Sequence, residues 1–175
     1  MNLLGRNMPK IRFKPSCIAL ATLLAACGDN SGSSNTAAAG CAAFSPLLTV
    51  LGSNGAQTSF PAGSTVTLQM QITNDSAQSQ TVTQNTGCSG TVLFSISNAS
   101  GQAVWTSVLP CNAIGVQSYT YAPGQTQVIS AQWQQTDNEG ASSGSSAPSG
   151  QYAVSASYAT EQCPTLTGSA SLQIQ

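Results

Sequence analysis

Between Ser64 and Thr73 the side chains alternate without a break, Val66, Leu68, Met70 and Ile72 on one side and Thr65, Thr67, Gln69, Gln71 and Thr73 on the other. Successive residues of an extended chain point to opposite faces, whereas a helix returns to the same face every third or fourth residue. The spacing therefore predicts a strand with one face buried and one in water. Asn74 and Asp75 end it, since short polar side chains bond their own backbone and favour turns. Such a strand cannot bury its apolar face alone, so the rest of the chain has to supply a matching layer.

The same period recurs along the chain. Leu47 to Leu51 reads as a first strand, with Pro46 tolerable near the start of an edge strand, and Gln80 to Gln84 as a weaker one around Val82. Val92, Phe94 and Ile96 alternate with Ser95 and Ser97; Asn98-Ala99-Ser100-Gly101 then turns the chain into Ala103, Val104 and Trp105, forming a hairpin. Val108 to Tyr121 reads as a long connection containing Cys111, Tyr119 and Tyr121. It closes with Pro123-Gly124, the signature of a type II turn. Ile129, Ala131 and Trp133 share a face, as do Tyr152, Val154, Ala156 and Tyr158, and then Ala170, Leu172 and Ile174. Trp105 and Trp133 are expected in the core. The segment 137–149, rich in Gly, Ser and acid, is expected to be a mobile solvated loop. Its Asp137 and Glu139 fall short of the ligand set calcium needs, so no metal site and no cofactor are expected. About 7–8 short alternating strands with no helical stretch after residue 26 predict an all-β antiparallel sandwich, a closed barrel being the alternative.

Charge narrows the function further. All four basic residues (Arg6, Lys10, Arg12, Lys14) precede Cys27, all five acids (Asp29, Asp75, Asp137, Glu139, Glu161) follow it, and the chain has no histidine. Beyond Cys27 the formal charge is −5, without one cationic side chain. Nucleic-acid binding draws most of its affinity from Lys and Arg contacts to phosphate, so no nucleic-acid partner is expected. The usual general base near neutral pH, the Schiff-base amine and the anion clamp are missing too, and the few acids are scattered over loops. A catalytic role is not expected.

The N-terminal segment has the order of an export signal: basic residues, an apolar run from Cys17 to Leu24, then small residues. Leu24-Ala25-Ala26-Cys27 resembles the lipobox of bacterial lipoproteins. That resemblance implies a lipid on Cys27, cleavage before it, and attachment to the membrane through acyl chains, the apolar run being shorter than the roughly 20 residues a bilayer requires. Gly28 follows where an aspartate commonly marks inner-membrane retention. The implied address is the outer membrane facing the periplasm in a Gram-negative cell, and otherwise the outer face of the cytoplasmic membrane. The expected organisation is a signal peptide over 1–26, a lipidated cysteine and flexible tether over 27–40, and one domain over 41–175.

The Thr73-Asn74-Asp75 strand end, the Gly101-Gln102-Ala103-Val104-Trp105 hairpin, the Ala122-Pro123-Gly124-Gln125 turn leading to Trp133, and Pro148-Ser149-Gly150-Gln151-Tyr152 lie in an order and spacing similar to the intracellular proteinase inhibitor (BsuPI-like) family. The likeness covers roughly residues 62–160 and implies an immunoglobulin-like sandwich, in which Tyr152 resembles the tyrosine of a tyrosine corner. The lipobox, the cysteines, the missing charges and the unmatched segment from Val108 to Tyr121 depart from that family. Four cysteines other than Cys17 and Cys27 remain in an exported chain, which favours two disulfides among three connectivities. In an immunoglobulin-like sandwich the first strand begins near the turn between the last two, which pairs Cys41 with Cys163 and leaves Cys88 for Cys111. Two functions are then expected to compete. One is a non-catalytic binding or accessory module of the cell envelope. The other is an inhibitor of an extracytoplasmic protease with apolar or aromatic specificity, for which Tyr119 and Tyr121 are the candidate partner contacts.

Overall fold

The computed structural model describes residues 34–37, 41–85, 92–107, 116–163 and 165–175. Twelve strands lie within them: β1 (Ser34–Ala37), β2 (Phe44–Gly52), β3 (Gly55–Ala56), β4 (Ser59–Phe60), β5 (Val66–Asn74), β6 (Gln80–Asn85), β7 (Leu93–Asn98), β8 (Ala103–Thr106), β9 (Val116–Tyr121), β10 (Thr126–Trp133), β11 (Gly150–Tyr158) and β12 (Leu166–Ile174). One sheet runs β1-β12-β11-β7-β8 with β4 also on β12, a second runs β10-β5-β2-β3, and β6 and β9 form a small third. The pairings are antiparallel except for β4 on β12. The fold is all-β, an immunoglobulin-like antiparallel sandwich.

Alternation builds the core as the sequence predicts. Val66, Leu68, Met70 and Ile72 of β5 are fully buried, opposite Phe94 and Ile96 of β7 and Tyr152, Val154, Ala156 and Tyr158 of β11 in one apolar cluster. Trp133 is fully buried and meets Tyr152 edge to face at 5.5 Å, while Trp105 is half-buried against the same core. The Tyr152 hydroxyl donates to Pro148 O at 2.7 Å, four residues upstream, which closes a tyrosine corner at the start of β11. Cys41 and Cys163 are disulfide-bonded with Cα atoms 5.2 Å apart, tying the lead-in to β2 to the turn before β12. Cys27, Cys88 and Cys111 lie outside the described residues.

Four strands exceed the sequence expectation, and each lacks the signal that alternation provides. β3 and β4 have two residues apiece. β1 falls in the stretch read as tether: Ser34 to Ala37 pair with Ser169 to Leu166, a pairing made by the backbone of residues with nothing apolar to advertise it. Within the stretch 27–40, Ser34 to Ala37 are therefore strand. β9 occupies the supposed long connection, where Val116 to Tyr121 pair with Asn85 to Gln80 and interleave Ser, Thr, Gln and Tyr.

The segment 137–149 is also not the solvated loop its composition suggests. Backbone bonds from Asp137 N to Ser145 O, Gly144 N to Asp137 O and Ala147 N to Gln135 O close it on itself, and a short 3-10 turn spans Gly140–Ser142. Asp137 and Ala147 are buried. Gln135 enters at a φ of 55°, buried, and its amide reaches Pro61 O, Ser64 Oγ and Gly63 N. A residue held in the left-handed region by three side-chain bonds is specified by tertiary contacts, which composition does not reveal.

Candidate interaction surface

The two tyrosines proposed as partner contacts part company. Tyr121 is buried at 3% exposure; its ring meets Phe44 edge to face at 5.4 Å, and its hydroxyl bonds Gln127 Oε1 and lies 3.3 Å from the Tyr158 hydroxyl. It is a core residue rather than a contact. Burial is the main reason its phenol is held above the usual tyrosine range; the Tyr158 bond opposes the shift and the Tyr119 phenol adds to it. Tyr119, two residues earlier on the same face of β9, is half-buried and packs against the core while keeping one side toward solvent. Alternation puts both on one face of β9, and they differ in depth because β9 ends at Tyr121, against Phe44 and Tyr158.

The outer face of the β10-β5-β2 sheet offers a broader surface. Register sets its side chains in four rows: Thr126, Thr73 and Ser45; Val128, Gln71 and Leu47; Ser130, Gln69 and Thr49; Gln132, Thr67 and Leu51. None of the twelve is charged. Thr73 and Thr126 hydroxyls bond at 2.8 Å, and Gln71 Nε2 donates to Gln69 Oε1 at 3.1 Å, so neighbouring polar groups on this face are partly paired with each other. Leu47 and Val128, 42% and 53% exposed, flank Gln71 in one row. Ser45 Oγ donates to Asp75, which stands at the rim.

The last row opens into a cleft of about 370 Å³ lined by Gly52, Ser53, Gln57, Ser64, Thr65 and Thr67 among others, all uncharged. The Gln57 amide lies where a Cβ on Gly52 would be, 2.1 Å from that position, so the glycine leaves room for the amide. Thr65 Oγ1 donates to Gln134 Oε1 at 2.9 Å and steadies the far wall. Hydroxyl and amide groups here present donors and acceptors without a fixed charge, which suits neutral polar groups and provides no clamp for an anion.

The polar face of β5 is legible in the sequence as solvent-facing. Its assembly into rows with β2 and β10 is not, because cross-strand neighbours on this face lie 16 to 65 residues apart in sequence, from Leu51–Thr67 to Thr67–Gln132, and are set by register alone. Asp137 stands apart from this surface. Its Oδ1 has no hydrogen-bond partner among the described residues, and its carboxylate is the second cause, after burial, of the raised Tyr152 phenol. Among the described residues no cluster of three His, Cys, Asp or Glu side chains forms. No helix there is long and apolar enough to cross a membrane.

No family model and no curated protein matches the chain. Among solved structures it is similar to a β-glucosidase, EmGH1, from Erythrobacter marinus (12% identity, TM-score 0.43), with 75% of this chain covering 15% of that one. It is similar to the C-terminal domain of Wzt (10% identity, TM-score 0.49; 82% and 78% covered) and to a β-glucosidase from Listeria innocua (8% identity, TM-score 0.40; 73% and 16% covered). The chain thus spans about a sixth of the length of the two glucosidases.

Proposed function

We propose that this chain is a non-catalytic, lipid-anchored module of a bacterial cell envelope whose sandwich binds an uncharged partner surface. The observation that carries the reading is the joint distribution of charge: every cation precedes Cys27, and the twelve-residue face and its cleft contain no ionisable group. Such a surface gains nothing from Coulomb attraction and works through shape, apolar contact at Leu47 and Val128, and neutral hydrogen bonds. The lipobox supports the anchor. Residues 28–33 alone separate Cys27 from β1, a stretch of at most about 20 Å when fully extended, so a lipid on Cys27 would hold the domain close to the bilayer.

Two measurements test this reading. In the native cell the wild-type chain should partition with membranes at its processed size, while Cys27→Ala should remain unprocessed or soluble; a processed, membrane-bound alanine variant refutes the anchor. A pull-down from the native envelope with lipidated protein should lose its partner when Leu47→Lys and Val128→Lys are introduced together. Retention of the same partner refutes the surface. Protease inhibition keeps Tyr119 as its contact, Tyr121 being buried. It requires near-stoichiometric slowing of a subtilisin- or chymotrypsin-like enzyme.

A further inference from the structure

The two large sheets have four outer edges, and the chain closes three of them itself. β12 carries β1 along Leu166 to Ser169 and β4 at Gln173 and Ile174. β8 is short and clamped by Asn138, whose N–H donates to Val104 O, whose Oδ1 accepts Thr106 N at 2.9 Å and whose Nδ2 donates to Thr106 O at 2.7 Å. On β2 the outward N–H positions begin with Phe44, bonded to Cys41 O, and continue with Pro46, which has no N–H. Val50 O accepts Gln57 N, and β3 covers Leu51 and Gly52. Proline, short strands and covering loops are the means by which natural sheets prevent edge pairing.

Among the described residues β10 has none of these. It is eight residues long, regular in its pairing to β5, and free of charge and proline. The ladder direction identifies its outer groups: Asn74 N donates to Gln125 O and Asp75 N to Ala43 O, so the even-numbered residues of β5 bond toward β10 and the odd ones toward β2. Gln127, Ile129 and Ala131 therefore bond to β5, and Thr126, Val128, Ser130 and Gln132 turn their N–H and C=O groups away from it. Among the described residues no strand pairs with that edge.

We infer that this edge pairs with β10 of a second copy of the chain, joining two sandwiches through a continuous antiparallel sheet. A second copy offers the same neutral strand, and a two-fold contact closes without leaving a new edge. Directly opposed residues of an antiparallel pair share a face, so a two-fold pairing must set even with even. The register that uses the whole strand places Val128 opposite Ser130 and Thr126 opposite Gln132 of the partner copy. No like charges meet in it, and the exposed Val128 gains its own copy as a diagonal neighbour. The two outer faces become one surface of six strands. The inference rests on the sheet edges alone and holds whether or not the chain is lipid-anchored.

Site-directed cross-linking of the full chain in its own cells tests it. Co-expressed Val128→Cys and Ser130→Cys chains should be joined by a short bifunctional maleimide into a band of two chain masses. Leu47→Cys chains should not be, because β2 lies five strand spacings, about 24 Å, from its copy in the joined sheet. Adding Val128→Lys and Ser130→Lys together to co-expressed Thr126→Cys and Gln132→Cys chains sets ammonium groups opposite each other and should abolish their cross-link. Both substituted side chains point to solvent, and correct folding is read from the Cys41–Cys163 bond by non-reducing peptide mapping. A cross-link no stronger than that of the Leu47→Cys chains overturns the pairing. So does a Thr126–Gln132 cross-link that survives the lysines in chains that retain the disulfide.

Discussion

Asn74 concentrates more of the fold than any other polar side chain described. It is fully buried; its Nδ2 donates to Gln78 O and Tyr121 O at 2.9 Å and to Ala122 O at 3.2 Å, and its Oδ1 accepts Ser76 N and Ser76 Oγ. One amide thus ends β5, shapes the turn into β6 and holds the end of β9. Asn74→Ala leaves three carbonyls and an N–H without their partner and is expected to cost about 3 kcal/mol in chemical denaturation, whereas Ser76→Ala, which keeps the buried amide, should cost under about 1.5. Equal costs would show that the network is not centred on Asn74. Tyr121 and Tyr152 make the second residue-scale prediction. Burial raises both phenols above the ordinary value of 10.0. The unfolded chain then loses these protons first as pH rises, so their contribution to stability is complete below about pH 10 and falls as pH climbs through the raised folded values. Denaturant midpoints should be level from pH 7 to 9 and drop at pH 11, with Tyr121→Phe reducing the drop.

At the scale of elements, turns and cross-links decide which strands meet. Gly124 follows Pro123 at a φ of 72° and its N–H donates to Asn74 O, so the turn that launches β10 needs both a left-handed residue and a free amide. Gly124→Ala should cost about 1 kcal/mol by placing a Cβ in that conformation, and Gly124→Pro substantially more because it also removes the donor. The Cys41–Cys163 bond closes a separation of 122 residues, which ranks it with the most stabilising cross-links on the chain-entropy account. Replacing both cysteines with serine is expected to lower unfolding free energy by on the order of 4 kcal/mol, measured against the intact chain in urea. A loss under about 1 kcal/mol would mean that β1, β2 and β12 already hold the ends together without it.

For the whole molecule, the sandwich keeps its outer faces in water with Ser, Thr and Gln rather than with charge. This leaves only the five acids of the segment after Cys27 for colloidal repulsion, so added salt, by screening it, should promote association at neutral pH. Turbidity against salt concentration checks it, and no change up to about 1 M salt would show that charge is not what keeps the chain dispersed. The lack of Lys and Arg beyond Cys27 also leaves trypsin without a site there, even in urea, while chymotrypsin should cut the unfolded chain readily.

Alternation along β2, β5, β7, β10, β11 and β12 was enough to specify an all-β sandwich and most of its core, because burying one face of a strand demands a period of two wherever one side meets water. The tyrosine corner and the Cys41–Cys163 pairing were likewise legible, since both follow from where strands begin and end in such a sandwich. Tertiary structure alone decided the rest. β1 and β9 are strands by virtue of the partners that accept their backbone bonds, and residues such as Ser34 to Ala37 carry no periodic apolar signal. Tyr119 and Tyr121 look equivalent in sequence and differ because the end of β9 is pressed against Phe44 and Tyr158. The neutral face and the bare edge of β10 depend on register between strands distant in sequence, and register is an outcome of the packed core, which no single segment contains.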